Sequence, residues 1–288
     1  MKKDYKIILM SILIGLLLIP YAGMAHANKL PTIGVYRIDA DNQQISQILT
    51  ESLSADLAKM KSCYVVERAK LDQIFSEQAL SYDGIVEALS GGSGQAIGLD
   101  YLLIGSSTSS VTRKYNHKYK TVSYYTNIAI NLKLVDARNQ IGRVIWSGQR
   151  SIDNINQTGD LTDDALEIAY DMSRQLYEQK FPVTGYVIKI ANGNYYLDLG
   201  IEDGVAVKDK LTVENTNETI IHPVTGEIIA TGGTAGTLKV IETYGNYSIA
   251  VLDKDTDNRI YLKDRVIKKI KKKPKDWSGL LWSGKVEF

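Results

Sequence analysis

Tyr124, Thr126, Ile128, Ile130, Leu132 and Leu134 fall on one side of a period-two pattern, with Asn127, Asn131 and Lys133 on the other. Side chains alternate across a β-pleat, so this run fits a strand with one buried face and one wet face. Such a strand needs a second layer to cover its apolar side. The neighbouring sequence supplies the parts. Ala137 to Gln140 reads as a turn, and Arg143 to Ile152 returns antiparallel, carrying Trp146. Ile33 to Ile38, Tyr64 to Val66 and Tyr101 to Ser106 read as further strands.

Helices are predicted where apolar residues recur at helical spacing. Ile45, Ile48, Leu49, Ser52, Leu53, Leu57 and Met60 make one stripe, and Leu71, Ile74, Phe75 and Gln78 share a second. A third helix runs from about Leu161 to Lys180 through Ala165, Ile168, Met172 and Leu176, and Pro182 ends it. The glycines and serines from Ser90 to Gly94 mark a loop. The expected fold class is α+β, a mixed sheet covered by helices. After Pro182, short β-rich runs alternate with Asn192-Gly193-Asn194, Asp203-Gly204, His222-Pro223-Val224-Thr225-Gly226 and Gly232-Gly233. Turn signals that close together predict a small all-β barrel or sandwich.

Residues 1–27 read as a secretory signal peptide. Lys2, Lys3 and Lys6 precede an apolar run from Ile7 to Ile19, and Ala25-His26-Ala27 supplies the small-x-small cleavage pattern before Asn28. The expected division is signal peptide 1–27, an α+β domain 28–182, a β-domain 183–270 and a basic, tryptophan-containing tail 271–288. Removing the signal takes three lysines and one aspartate from 34 basic and 33 acidic residues, leaving 31 and 32. That balance gives no argument for a nucleic-acid partner. Cys63 is the single cysteine, so no intramolecular disulfide forms, and its neighbours Tyr64, Val65 and Val66 predict a buried thiol. No cysteine lies near the cleavage site for lipidation. The expected location is the periplasm, with a possible outer-membrane contact.

Two stretches resemble known families. Tyr64-Val65-Val66-Glu67-Arg68, Leu71-Asp72-Gln73-Ile74 and Glu77-Gln78 resemble a segment of the curli-secretion CsgG family, as does Ala96-Ile97-Gly98-Leu99-Asp100-Tyr101-Leu102-Leu103-Ile104-Gly105-Ser106. The Ile128 to Val135 strand with Asp136-Ala137 matches the family's hairpin in position and character. Related periplasmic domains occur in lipoprotein activators of peptidoglycan synthases and in the amino-terminal part of TolB. Gly185-Tyr186-Val187, the Leu197 to Val205 stretch and Leu211-Thr212-Val213 resemble the C-terminal domain of the flagellar protein FlgT. There Asp209 and Lys263 stand where that pattern has glycine.

The resemblance implies an exported, non-enzymatic envelope protein that self-associates or docks on a secretion, flagellar or cell-wall complex. Its partners would be other envelope proteins or copies of itself. Two more specific readings are a subunit of a curli-type outer-membrane channel and an activator of a peptidoglycan synthase. Channel-forming relatives are lipoproteins whose hairpins line a membrane barrel. Here the candidate insertion, Arg113 to Tyr125, carries Arg113, Lys114, His117, Lys118 and Lys120, and mid-membrane charges on a lipid face cost about 2–4 kcal/mol each.

No catalytic, cofactor or metal residue is assigned. His117 and His222 are the only histidines after the signal, and no nucleophile–base pair can be assembled around them. Gly91-Gly92-Ser93-Gly94 with Gly98 lacks the Lys-Ser/Thr of a phosphate loop. Asp253, Asp255, Asp257 and Asp264 mimic a calcium loop, but Asn258 replaces its glycine, and a hairpin turn is the ordinary reading. The tail from Lys268 to Trp282 joins a basic run to Trp277, Leu280, Leu281 and Trp282, a composition suited to anionic lipid or an acidic groove, although a solvated, frayed terminus is the ordinary reading.

Overall fold

The computed structural model describes residues 30–66, 68–77, 98–138, 143–215, 220–221, 223–224, 228–230, 233–254 and 260–270. The expected signal peptide, residues 90–94, Asp255, Asp257 and residues 271–288 lie outside them. Both expected layers are present. A mixed sheet runs in the order β3 (Tyr64–Val66), β1 (Thr32–Val35), β4 (Tyr101–Asn116), β5 (Thr121–Asp136), β6 (Val144–Asn156), with β2 (Asp39–Ala40) also on β4. β1 pairs parallel with β3 and β4, while β4, β5 and β6 are antiparallel.

Helices α1 (Gln43–Met60) and α3 (Thr162–Lys180) cover one face. Asn42 caps α1, its Oδ1 accepting from the Gln44 and Ile45 amides. The predicted stripe is the buried one: Ile45, Leu49, Leu53 and Leu57 face Ile128, Ile130, Leu132 and Leu134, along with Ile168, Met172 and Leu176 of α3. Each fully buried leucine adds about 2 kcal/mol by burial. On the other face, α2 (Arg68–Glu77) sets Leu71 against Leu99, Leu102, Ile104 and Val135. Gly105 explains one glycine of the family-like segment, because a Cβ there would meet the Asn131 carbonyl oxygen at 2.4 Å.

β6 runs four residues past its expected end at Ile152, and two further strands differ in ways that bear on the site. β1 stops at Val35, and Ile38 turns towards α1, where its amide donates to Thr50 Oγ1 and its carbonyl accepts from Ser46 Oγ. β4 continues ten residues past Ser106 to Asn116. Its serine- and threonine-rich half has little apolar signal. It is held instead by the β5 ladder and by side-chain bonds, with Ser107 Oγ on the Ala129 carbonyl and Ser109 on Asp41.

Six antiparallel strands close the barrel in the order β12 (Thr234–Thr243), β13 (Ser248–Lys254), β8 (Asn194–Leu197), β7 (Thr184–Ala191), β14 (Arg265–Lys268) and β9 (Lys210–Glu214). β10 (Ile220–Ile221) and β11 (Ile228–Ala230) form a separate small hairpin. Met60 and Tyr177, from the ends of α1 and α3, are buried in the barrel core with Val183, Leu199 and Val205. Tyr177 Oη donates to the Lys268 carbonyl at 2.9 Å and accepts from the Val183 amide at 3.0 Å. Lys61 Nζ donates to the Ile201 carbonyl, and Lys268 Nζ to that of Gly204. Lys268 therefore belongs to this junction, a correction to reading it as the start of a solvated basic tail.

In the barrel, Asn192, Lys208 and Lys263 take left-handed backbone, at φ 52°, 73° and 71°, and Asp209 does not. Left-handed backbone strains any residue with a Cβ, and β-branched ones most. Lys263→Gly is expected to hold or raise stability by up to about 1 kcal/mol, and Lys263→Val to lower it by about 1–3 kcal/mol. Urea melts of the pair check this.

Burial pushes the Tyr177 hydroxyl up from 10 to about 12. The folded state then keeps a proton that the unfolded chain releases first, so the contribution of Tyr177 to stability is constant below pH 10 and falls from there towards pH 12. Tyr177→Phe is expected to lose that alkaline slope. It should also destabilise by about 1–3 kcal/mol at neutral pH, since a buried amide and carbonyl lose a partner. Denaturant melts across alkaline pH test both.

Candidate docking surface

β4 and β5 pair without interruption from Tyr101↔Asp136 to Asn116↔Thr121, a ladder of sixteen residue pairs. β6 follows only as far as Asn156↔Tyr124. The pleat sorts the three strands onto two faces. Leu103, Leu132 and Trp146 point to the helices. Ser106, Thr108, Ser110 and Thr112 of β4, Asn127, Asn131 and Lys133 of β5, and Ser147, Gln149, Ser151 and Asp153 of β6 point away.

This outer face is exposed beyond the reach of α2. Two shallow depressions cross it, one along Ser106, Asn131, Lys133 and Gln149, the other along Ser110, Tyr125, Asn127 and Asp153. Both are open troughs of hydroxyls and amides. Asn127 Nδ2 donates to Asp153 Oδ1 at 2.8 Å across them. Such a face can exchange many weak hydrogen bonds with a flat partner, and it encloses no substrate-sized chamber.

The helix side of the same strands is locked. Asp164, buried in the first turn of α3, accepts from Thr126 Oγ1 and Asn154 Nδ2, both at 3.0 Å. Asp160 Oδ1 accepts from the Thr162 amide and hydroxyl just before α3, and the amide bond holds its carboxyl below the usual range. A Cβ on Gly148 would meet Trp146 and Met172 within 2.7 Å, so α3 lies close on β6.

Beyond Tyr124 the hairpin projects as a two-stranded arm. Asn116 Oδ1 accepts from the Lys118 and Tyr119 amides and sets the turn, with Lys120 left-handed at φ 50°. Arg113 lies on one face of the arm, paired with Tyr124, and Lys114 on the other, paired with Ser123. Neither face is free of charge, so neither resembles the lipid-facing side of a membrane barrel.

His117 stands on the arm, its ring edge-on to Tyr115, far along the hairpin from the buried core. His222, Asp255 and Asp257 fall outside the described residues. Asp253 pairs with Lys210 at 2.7 Å, and Asp264 accepts from the Tyr261 amide, so these two serve turn and strand contacts. Cys63 is buried, and desolvation pushes its thiol up to about 11. Among the described residues no group of three His, Cys, Asp or Glu side chains could hold a metal, and no helix is long and apolar enough to cross a membrane. The wet face of β5 is legible in the sequence, but the outward residues of β4 beyond Ser106 lie past the strand's expected end. The alternation of Ser106, Thr108, Ser110 and Thr112 was the available signal.

Fold and surface together define a helix-backed sheet that presents an open polar face, joined to a closed β-barrel. Residues 24–151 match the family described as "Curli production assembly/transport component CsgG". The match ends inside β6, leaving α3 and the barrel beyond it. No curated protein matches the chain. Among solved structures, lipoprotein GNA1162 from Neisseria meningitidis is similar at 19% identity, covering 52% of this chain and 99% of that one, with a TM-score of 0.38. The PelC dodecamer from Paraburkholderia phytofirmans is 12% identical over 49% of this chain and 84% of its own, with a TM-score of 0.31. The LpoB C-terminal domain from Salmonella enterica is 20% identical over 43% and 83%, with a TM-score of 0.30.

Asp164→Ala should remove two charge-assisted bonds and cost about 2–4 kcal/mol. Amide exchange is expected to quicken most at Thr126 and Asn154, and a uniform change along the chain would contradict the lock.

Proposed function

We propose that this chain is an exported, non-catalytic protein of the bacterial cell envelope that works by assembly, its copies meeting through the outer face and free edge of β4–β6. The observation that carries this reading is the exposed polar outer face itself. A sheet whose other side is covered by α1 and α3 leaves a broad row of donors and acceptors in water on this one. Covering that row with a matching surface would give a polar, wet interface. β6 adds a thirteen-residue edge strand, and an unpaired edge is a template for another chain.

The CsgG-family match and the basic-then-apolar start support the envelope setting. The open troughs and the isolated position of His117 support a binding role over a catalytic one. The division at residues 182–183 and the FlgT-like reading of the barrel belong to the same proposal, supported by the end of α3 at Lys180 and the start of β7 at Thr184. A cation on each face of the arm speaks against the channel-subunit reading.

The test is light scattering coupled to size exclusion on residues 28–288, purified without detergent. The expected result is a discrete oligomer that falls to monomer in Asn131→Arg/Ser151→Arg, with the circular dichroism spectrum unchanged. A parent chain that is monomeric at every accessible concentration overturns self-assembly.

A further inference from the structure

We infer that the β4–β5 arm is a docking tip for an anionic lipid surface. From Tyr101 to Val135 the chain has no Asp or Glu, yet it carries Arg113, Lys114, Lys118, Lys120 and Lys133 within a protein of formal charge only +1. All but Lys133 of these cations sit on the arm, and none of those four is in an ion pair among the described residues. A local excess of positive charge on a projecting element is complementary to a phosphate-bearing bilayer, where each added Lys or Arg strengthens binding several-fold.

The tyrosines point the same way. Tyr115 is 49% exposed and Tyr119 66% exposed, close to the turn. Lys114 Nζ lies 4.1 Å from the Tyr125 ring centroid, and Lys118 Nζ 5.3 Å from that of Tyr119. Interleaved rings and cations suit the headgroup layer, where tyrosine places its ring towards the acyl chains and its hydroxyl in water. The dimensions agree. The strands pass β6 by about three residues, or roughly 10 Å, and a headgroup layer is roughly 5–8 Å deep. The tip can cross that layer while its backbone stays paired within the hairpin. An acidic protein groove fits less well, because the cations lie on both faces of the arm and around its turn.

This inference goes beyond the assembly reading and does not rest on it, since the arm lies past the end of β6. Residues 28–288 are sedimented with phosphatidylethanolamine–phosphatidylglycerol vesicles, with phosphatidylcholine vesicles as the neutral control. Binding to the anionic vesicles alone is expected, weakening as salt rises. Lys114→Glu/Lys118→Glu/Lys120→Glu should weaken it by about a hundredfold or more with the thermal melt unchanged. Tyr115→Ser/Tyr119→Ser should weaken what survives at high salt. Lys271→Glu/Lys272→Glu/Lys273→Glu, in the tail, should leave most binding in place. The inference is overturned if the arm variant binds like the parent, or if the tail variant abolishes binding. It is also overturned if the parent ignores the vesicles but is held by polyglutamate beads, which would make an acidic protein the partner.

Discussion

The unbroken β4–β5 ladder is the constraint on which the rest of the layer depends. Its paired backbone fixes which side chains share a face, because a one-residue slip would exchange the two faces of the strand. With the register set, Ile128, Ile130, Leu132 and Leu134 can only face α1 and α3, and Asn127, Asn131 and Lys133 can only face water. The same ladder carries the chain past its own core, so the arm inherits its direction from the buried half of the hairpin.

The barrel is secured by a different device. The last turns of α1 and α3 enter its core through Met60 and Tyr177, and the Tyr177 hydroxyl satisfies one backbone group on each side of the barrel's closure. Lys61 and Lys268 then grip the Gly200–Gly204 turn through its carbonyls. Polar groups that would be costly to leave unpaired are thus spent on fixing where the barrel meets the helices. The CsgG-family match stops before α3 is reached, so this junction joins a family-type sheet to elements outside the match.

The proposed roles fall on surfaces. The sheet offers an outer face of hydroxyls and amides, the arm offers cations and tyrosines, and the two are separated along one hairpin. On the readings proposed above, one hairpin would meet a partner along its length and a charged boundary at its tip.

Periodicity in the sequence determined the α1 stripe from Ile45 to Met60, the α3 stripe from Leu161 to Leu176, the inward set on β5 and the turn-dense barrel. These are positions where burial and backbone period act on adjacent residues, so the pattern is written locally. Cys63, flanked by apolar residues, was legible for the same reason. The full length of β4 was not, because Ser107, Ser109 and Ser110 have little strand preference of their own and owe their conformation to a partner about twenty residues away. The burial of Lys268 and the role of Tyr177 were also decided only in three dimensions, since each depends on groups from 64 to 91 positions distant. Local pattern set which residues turn inward; long-range pairing decided which of the remaining polar residues became structure and which became surface.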